Sequence, residues 1–335
     1  MEKWNKIYLY QGENKTVTEY YFRLILEGVK ENETCVIPCF CLKDFLKLDR
    51  NAICIVGEAK HLFALYVLGF RKFIFWAQGV VGAESYMRHH SIIRFKILSW
   101  LERFALKSSK ICLCVSNTQR KYYEKNYHLS LHSKCLVMPC FNTKLYKQSF
   151  FIPNKYKNNV FCYIGSLAVW QCFEETVAFY ARIEMMSQNK CMLKIYTKEI
   201  EKAKEIVESY HVQNYWIDYV PHEELNHALA DCKFGFLLRK DNIVNNVATP
   251  TKMSTYLANG IMPIFSECIK DFSGLVDRYK YLISLSGQED VYKVLELMEQ
   301  DIQSEQVYRE YNKVFDEYYN EDIYISQLRR IKNLL

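Results

Sequence analysis

The chain has 335 residues, half of them apolar, which is longer than one ordinary domain and enough for two compact cores. The 44 Lys and Arg against 38 Asp and Glu divide unevenly: 23 against 12 in residues 1–150, and 21 against 26 in residues 151–335. No run of 18 uncharged apolar residues occurs, since the best stretch, His61 to Phe70, stops at Arg71 and Lys72, so no membrane span is expected; MEKWNKIYLYQGENK has neither an apolar core of signal-peptide length nor a small-residue cleavage site, so secretion is not expected either.

In chain order, short apolar runs alternate with helix-period segments. The first half holds strand candidates at 6–10, 35–40, 53–57, 73–79, 111–116 and 135–140, with a first helix expected to begin at Thr16, Glu19 three residues on completing a capping box. Residues Tyr86 to Lys107 read as one long helix with Ile93, Ile97, Trp100, Leu101 and Phe104 along one face. The polar joint FIPNKYKNN (151–159) precedes a second series of strands at 160–165, 192–197, 215–220, 234–238, 262–266 and 281–285, and only helical patterning follows Glu289. The alternation predicts an α/β chain with two doubly wound parallel sheets, their ligand sites at the carboxyl ends of the strands. The expected division is 1–155, 156–305 and a helical tail, 306–335, packing back on the first domain.

The thirteen cysteines sit mostly in apolar runs, and the close pairs Cys39/Cys41 and Cys112/Cys114 are C-x-C; reduced, core-filling thiols in a cytoplasm are expected. YLYQGENKTV carries one glycine, so it is no dinucleotide fingerprint, and there is no phosphate-binding G-x-x-x-x-G-K-S/T loop. His89 and His90 are adjacent and point to different faces, which argues against a metal pair.

The stretch VATPTKMSTYLANGIMPIFSE (247–267) raises the question of function. Thr249 suits a helix cap, Pro250 the first helical position and Gly260 a left-handed stop. Lys252 then lies in the first turn, where the helix dipole disfavours a cation unless an anion sits over that turn. Arg239 and Lys240 emerge at the end of the strand FGFLL, so a phosphate cradle and an exposed basic loop are both open readings.

The segment FGFLLRKDNIVNNVATPTKMSTYLANGIMPIFS resembles the donor-binding signature of GT-B glycosyltransferases of the family 4 type. FCYIGSLAVW, LKIYTKE and YVPHEEL follow the order of the other donor-domain loops, and WAQGVVGAESYMRHHSIIRFKILSWLERFALKSSKICLCVS resembles the acceptor-domain segment. The resemblance covers most of residues 73–285 and implies a GT-B fold: two Rossmann-like domains facing across a cleft. It implies a metal-independent retaining glycosyltransferase of hexosyltransferase type, with no cofactor beyond a nucleotide-diphosphate sugar as co-substrate. By the same resemblance Arg239 and Lys252 hold the donor diphosphate as the catalytic cations. Gly165, Ser166, Tyr196, Thr197, Val220, Asn246, Thr249, Pro250 and Thr255 border the donor, and Gln78, Gly79 and Glu84 are acceptor-side candidates.

Two departures stand out. The family's pair of glutamates is replaced by Val247 and Thr255, and the usual Lys-Gly after the first donor strand by Trp170, Gln171 and Cys172. Arg94, Lys96, Trp100 and Arg103 mark the long helix as a candidate membrane-surface element, an ordinary core helix covering the sheet being the other open reading. The expected acceptor is a polyprenyl-diphosphate-linked glycan or an oligosaccharide. The expected place is the cytoplasm, docked at the inner face of the membrane, in bacterial surface (capsular) polysaccharide biosynthesis. A non-catalytic nucleotide-sugar or glycan-binding subunit is the alternative. Nucleic acid is not an expected partner, since no recognition motif or dense basic stripe is visible.

Overall fold

The architecture is that of a computed structural model, which describes residues 5–10, 15–31, 34–39, 41–287 and 290–335. Runs such as ICIV, KFIFWA and ICLC are buried nearly end to end, as strands of a parallel sheet covered on both faces must be. In the first half these are β1 (Asn5–Tyr10), β2 (Thr34–Cys39), β3 (Ile53–Val56), β4 (Lys72–Ala77), β5 (Ile111–Cys114) and β6 (Cys135–Val137). They pair in parallel in the order β2-β1-β3-β4-β5-β6. The helices between them are α1 (Lys15–Val29), α2 (Ala59–Val67), α3 (Val81–His89), α4 (Ile92–Ser108) and α5 (Asn117–Tyr127).

The second half repeats the plan. Its strands are β7 (Val160–Ile164), β8 (Met192–Tyr196), β9 (Tyr215–Asp218), β10 (Phe234–Leu237), β11 (Met262–Ser266) and β12 (Ile283–Leu285), ordered β12-β11-β10-β7-β8-β9. Around them lie α6 (Phe173–Met186), α7 (Ile200–Ser209), α8 (Leu225–Ala228), α9 (Ile243–Asn246), α10 (Thr251–Ala258) and α11 (Lys270–Ser273). Then come α12 (Val291–Glu299), α13 (Ser304–Glu317) and α14 (Glu321–Ile331). The strand order reverses between β7 and β10, and the crevice at such a switch point is where doubly wound sheets bind ligands.

Trp76 packs on Tyr21 with ring centroids 4.4 Å apart in the first core, and Phe161 stacks on Phe234 at 4.7 Å in the second. All twelve expected strands form, each within a few residues of its expected ends.

Several expectations change. The compact units are residues 1–139 with 320–335, and residues 140–319, rather than a division at 155 and 305. The linking segment belongs with the second unit because Tyr146 N donates to Ala258 O (2.8 Å) and Lys155 Nζ to Asn259 O (2.8 Å). Helix α13 stays there too, with the Tyr311 hydroxyl donating to Tyr281 O at 3.0 Å. Only α14 joins the first unit, where Tyr20 donates to Glu321 (2.8 Å) and Leu328 is fully buried. The long helix expected over 86–107 is two helices, broken at His90, which takes a left-handed conformation (φ 49°) before Ser91 caps α4. Helix α1 begins at Lys15, one residue before Thr16; the Thr16 side chain, Phe40 and Glu289 lie outside the described residues.

Candidate functional site

Three chain segments meet at the β7/β10 switch point. Strand β10 delivers Arg239 two residues past its end, where the backbone N–H donates to Ser266 Oγ at 2.9 Å. Helix α10 is fixed in rotation by Tyr256, whose hydroxyl donates to Phe236 O at 3.0 Å and whose ring fills the space beside Gly235; a Cβ there would stand 2.8 Å from it. One turn earlier, Lys252 therefore points over the sheet. The third segment follows β7: Gly165 has φ +116°, and a Cβ on it would lie 2.9 Å from Lys252 Cε, so only glycine leaves room for the lysine.

Lys252 is not bent into solvent. It is 9% exposed, and its Nζ lies 4.2 Å from the centroid of the Tyr163 ring and donates to Gln171 Oε1 at 2.8 Å. Arg239, 8% exposed, donates from Nη2 to the same Gln171 Oε1 at 2.6 Å, and from Nη1 to the Gln171 and Leu238 carbonyls at 2.9 and 2.8 Å. Burial first and Arg239 second hold the Lys252 ammonium well below its usual range, and burial lowers Arg239 as well. Every hydrogen-bond partner of the two cations described here is neutral. Two buried positive charges sharing one amide oxygen leave a site that is short of negative charge.

The other sequence-predicted donor residues lie in the same unit. Ser166 accepts from the Tyr163 hydroxyl through its carbonyl (2.7 Å). Tyr196 ends β8 and accepts from Gly165 N at 2.9 Å, while its hydroxyl donates to Ala228 O at 2.8 Å. Thr197 is buried, its hydroxyl paired with Glu199 at 3.1 Å, and Val220 lies half-buried beyond β9. Asn246 ends α9, and its Oδ1 is buried with no hydrogen-bond partner among the described residues.

The helix start differs from expectation. Thr249 does not cap α10; its Oγ1 accepts from Cys140 N at 2.9 Å. Pro250 (φ −61°, ψ 132°) is itself the residue before the first helical position, which falls on Thr251, because an extended ψ ahead of the helix puts proline in the capping place. Thr255 Oγ1 donates back to Thr251 O at 3.1 Å, which leaves its oxygen able to accept, and Val247 is fully buried. A cavity of about 480 Å³ opens beside Arg239 over the ends of β10, β11 and β12, with Asp241, Ser266 and Glu267 in its wall.

In the first unit, the loop after β4 is organised by a residue that the sequence did not single out. Glu102 of α4 is 1% exposed and accepts from Val81 N (2.7 Å) and the Tyr127 hydroxyl (2.9 Å), capping α3 from a distance. Burial pushes its carboxyl up to about 7 against these hydrogen bonds. Tyr123 and Gln119 donate to Gly79 O at 2.6 and 3.0 Å, which holds the loop from behind. Glu84 lies against Gly79, its carboxyl raised by burial, and Gln78 reaches over Gly57 at the end of β3.

On α4, Ile93, Ile97 and Trp100 are 73, 54 and 51% exposed. Lys96, Arg103 and Lys107 are exposed on the neighbouring strip, and Arg94 is exposed on the far side; Arg103 also donates to Tyr127 O at 3.0 Å. No helix among the described residues is long and apolar enough to cross a membrane. Among the same residues no three His, Cys, Asp or Glu side chains gather as a metal site requires.

Comparison with known proteins yields a fold. No family model matches, and no curated protein matches in sequence. Solved structures do. WaaG, a glycosyltransferase involved in lipopolysaccharide biosynthesis, superposes with a TM-score of 0.65 at 12% identity over 96% of this chain and 99% of its own. The fold is GT-B. The lipopolysaccharide outer core galactosyltransferase WaaB gives 0.65 at 13% identity, covering 97% of this chain and 98% of its own. S. aureus TarM, solved with α-GlcNAc-glycerol and UDP, gives 0.64 at 10% identity over 87% of this chain but only 58% of its own, so this chain spans under two thirds of TarM.

Gln171, like Glu102, is a residue that the sequence does not single out for the site. It was visible only as a departure from the family pattern, and nothing in its local sequence indicates that it touches residues 68 and 81 positions away.

Proposed function

We propose that the chain is a retaining glycosyltransferase that moves one sugar from a nucleotide-diphosphate sugar to a polyprenyl-diphosphate-linked or oligosaccharide acceptor in bacterial surface polysaccharide synthesis. The observation that carries the reading is the pair of buried cations, Arg239 and Lys252, converging at the switch point of a GT-B sheet without a carboxylate among the partners described. Departure of the nucleotide diphosphate is the demanding step, and preorganised cations aimed at the developing charge stabilise it without reorganisation. Arg239 supplies a planar fork and Lys252 a point charge beside the first turn of α10, whose dipole adds to both. No metal is required for this role, and the leaving phosphate can take the acceptor's proton. In this reading the Asn246 Oδ1, buried with no hydrogen-bond partner among the described residues, accepts from a donor hydroxyl. The first unit supplies Gln78, Gly79 and Glu84 toward the acceptor, and the exposed α4 strip docks peripherally on the inner face of the membrane.

Calorimetry of the wild type and Lys252→Ala against UDP, GDP and their sugars, with free-sugar release followed in parallel, tests this. The expected result is one nucleotide bound by the wild type, slow hydrolysis of its sugar, and loss of both in the variant. Absence of binding across the panel would sink the reading. A second reading, a non-catalytic nucleotide-sugar-binding subunit, draws on Val247 and Thr255 standing where the family has glutamates; binding with neither hydrolysis nor transfer would select it.

A further inference from the structure

Gln171 ends a 3-10 turn, Val169–Gln171, and the next residue, Cys172, takes a left-handed conformation (φ 50°) before α6 begins. This sharp turn brings the amide back over the two cations. Both neighbours only donate, so the amide presents its oxygen to them. Arg239 Nη2 and Lys252 Nζ lie 2.6 and 2.8 Å from that one atom. This is the arrangement that two cations adopt around a non-bridging phosphate oxygen. The point within reach of both donors is therefore filled, and an amide oxygen and a phosphate oxygen cannot share it.

We infer that Gln171 is a neutral placeholder: its amide oxygen stands in for a diphosphate oxygen in the unliganded protein and is displaced when the donor binds. The inference rests on the donor site proposed above and adds to it a residue that sets affinity. A neutral acceptor suits the task. It satisfies two buried donors and keeps them aimed, yet it is a weaker partner than a dianion and so yields to one. Gln171 is half-buried and the turn that carries it is exposed at Val169, so the side chain has solvent to move into.

Substitutions at this position carry opposite signs on stability and affinity. Gln171→Ala empties the point between the cations; it lowers the unliganded melting temperature and binds UDP and inorganic pyrophosphate as tightly as wild type or more tightly. Gln171→Glu installs a permanent anion there. It raises the unliganded melting temperature by ~2–4 °C and weakens both probes by ~10–150-fold, the equivalent of one charged hydrogen bond. The experiment is calorimetry and thermal unfolding of wild type, Gln171→Ala, Gln171→Glu and Lys252→Ala with those two probes.

If Gln171→Ala loses affinity as Lys252→Ala does, the glutamine belongs to the bound site and the placeholder idea falls while the donor site stands. Unchanged affinity in Gln171→Glu would overturn it equally. Failure of all four proteins, Gln171→Ala included, to bind either probe would instead remove the donor site itself. Binding by Gln171→Ala alone would be the strongest support.

Discussion

Lys252 looks misplaced when only its helix is considered, because a cation at a helix start opposes the dipole. Its position follows from three neighbours: the glycine that leaves it room, the Tyr163 ring beneath it and the Gln171 oxygen in front. Gly165→Ala would strain a positive φ and press a methyl group against Lys252 Cε. The expected outcome is a folded protein whose UDP affinity drops at least ~10-fold; calorimetry decides, and undiminished affinity would mean that Lys252 is not held against Gly165. Glu102 gives a different readout at the same scale. Its folded value, about 7, lies above the ordinary 4.5, so the unfolded chain releases this proton first as pH rises. The stability it lends is fully present below 4.5 and is lost as pH rises toward 7. Glu102→Gln should flatten that part of the stability–pH curve in urea titrations; an unchanged slope would show that the carboxyl titrates normally.

At the scale of elements, α4 shows how far periodicity carries. Its apolar residues were legible, but they lie on two faces. Ala105, Leu106 and the Glu102 carboxylate are buried, whereas Ile93, Ile97 and Trp100 stand out beside a basic strip. Sequence could not separate the two, since exposure depends on which side of the helix meets α2 and α3. An exposed apolar strip flanked by Lys and Arg fits an anionic bilayer surface. Vesicles rich in phosphatidylglycerol should retain the wild type, release Ile93→Ser/Ile97→Ser at all salt concentrations, and release Lys96→Ala/Arg103→Ala chiefly at high salt. Equal retention of all three proteins would refute docking through this face. The break at His90 was hidden for a related reason: no Gly or Pro marks it, and the left-handed residue is a histidine.

On the scale of the whole molecule, the chain completes a sheet, builds a second, and returns to the first. Residues 320–335 are the last in sequence yet pack on α1, through Leu328 and the Tyr20–Glu321 hydrogen bond. Leu328→Ala should cost ~2–5 kcal/mol of first-unit stability. Hydrogen exchange would speed up in α1 and leave α10 untouched; faster exchange in α10 instead would contradict the two-unit description.

The alternation of apolar runs and helical periods determined by itself that two parallel sheets form, because burial on both faces demands continuous apolar strands and the intervening lengths suit crossover helices. It also placed Arg239 after a strand and Lys252 in a first helical turn, since strand ends and helix starts are local events. Only the tertiary structure decided the rest. Gln171, Glu102 and the return of α14 depend on contacts between residues far apart in the chain. Thr249 is taken up by Cys140 N instead of a helix cap. Spacing within a segment cannot report such contacts, because which polar group a side chain meets is set by how whole elements pack, and a buried donor takes whichever acceptor that packing supplies.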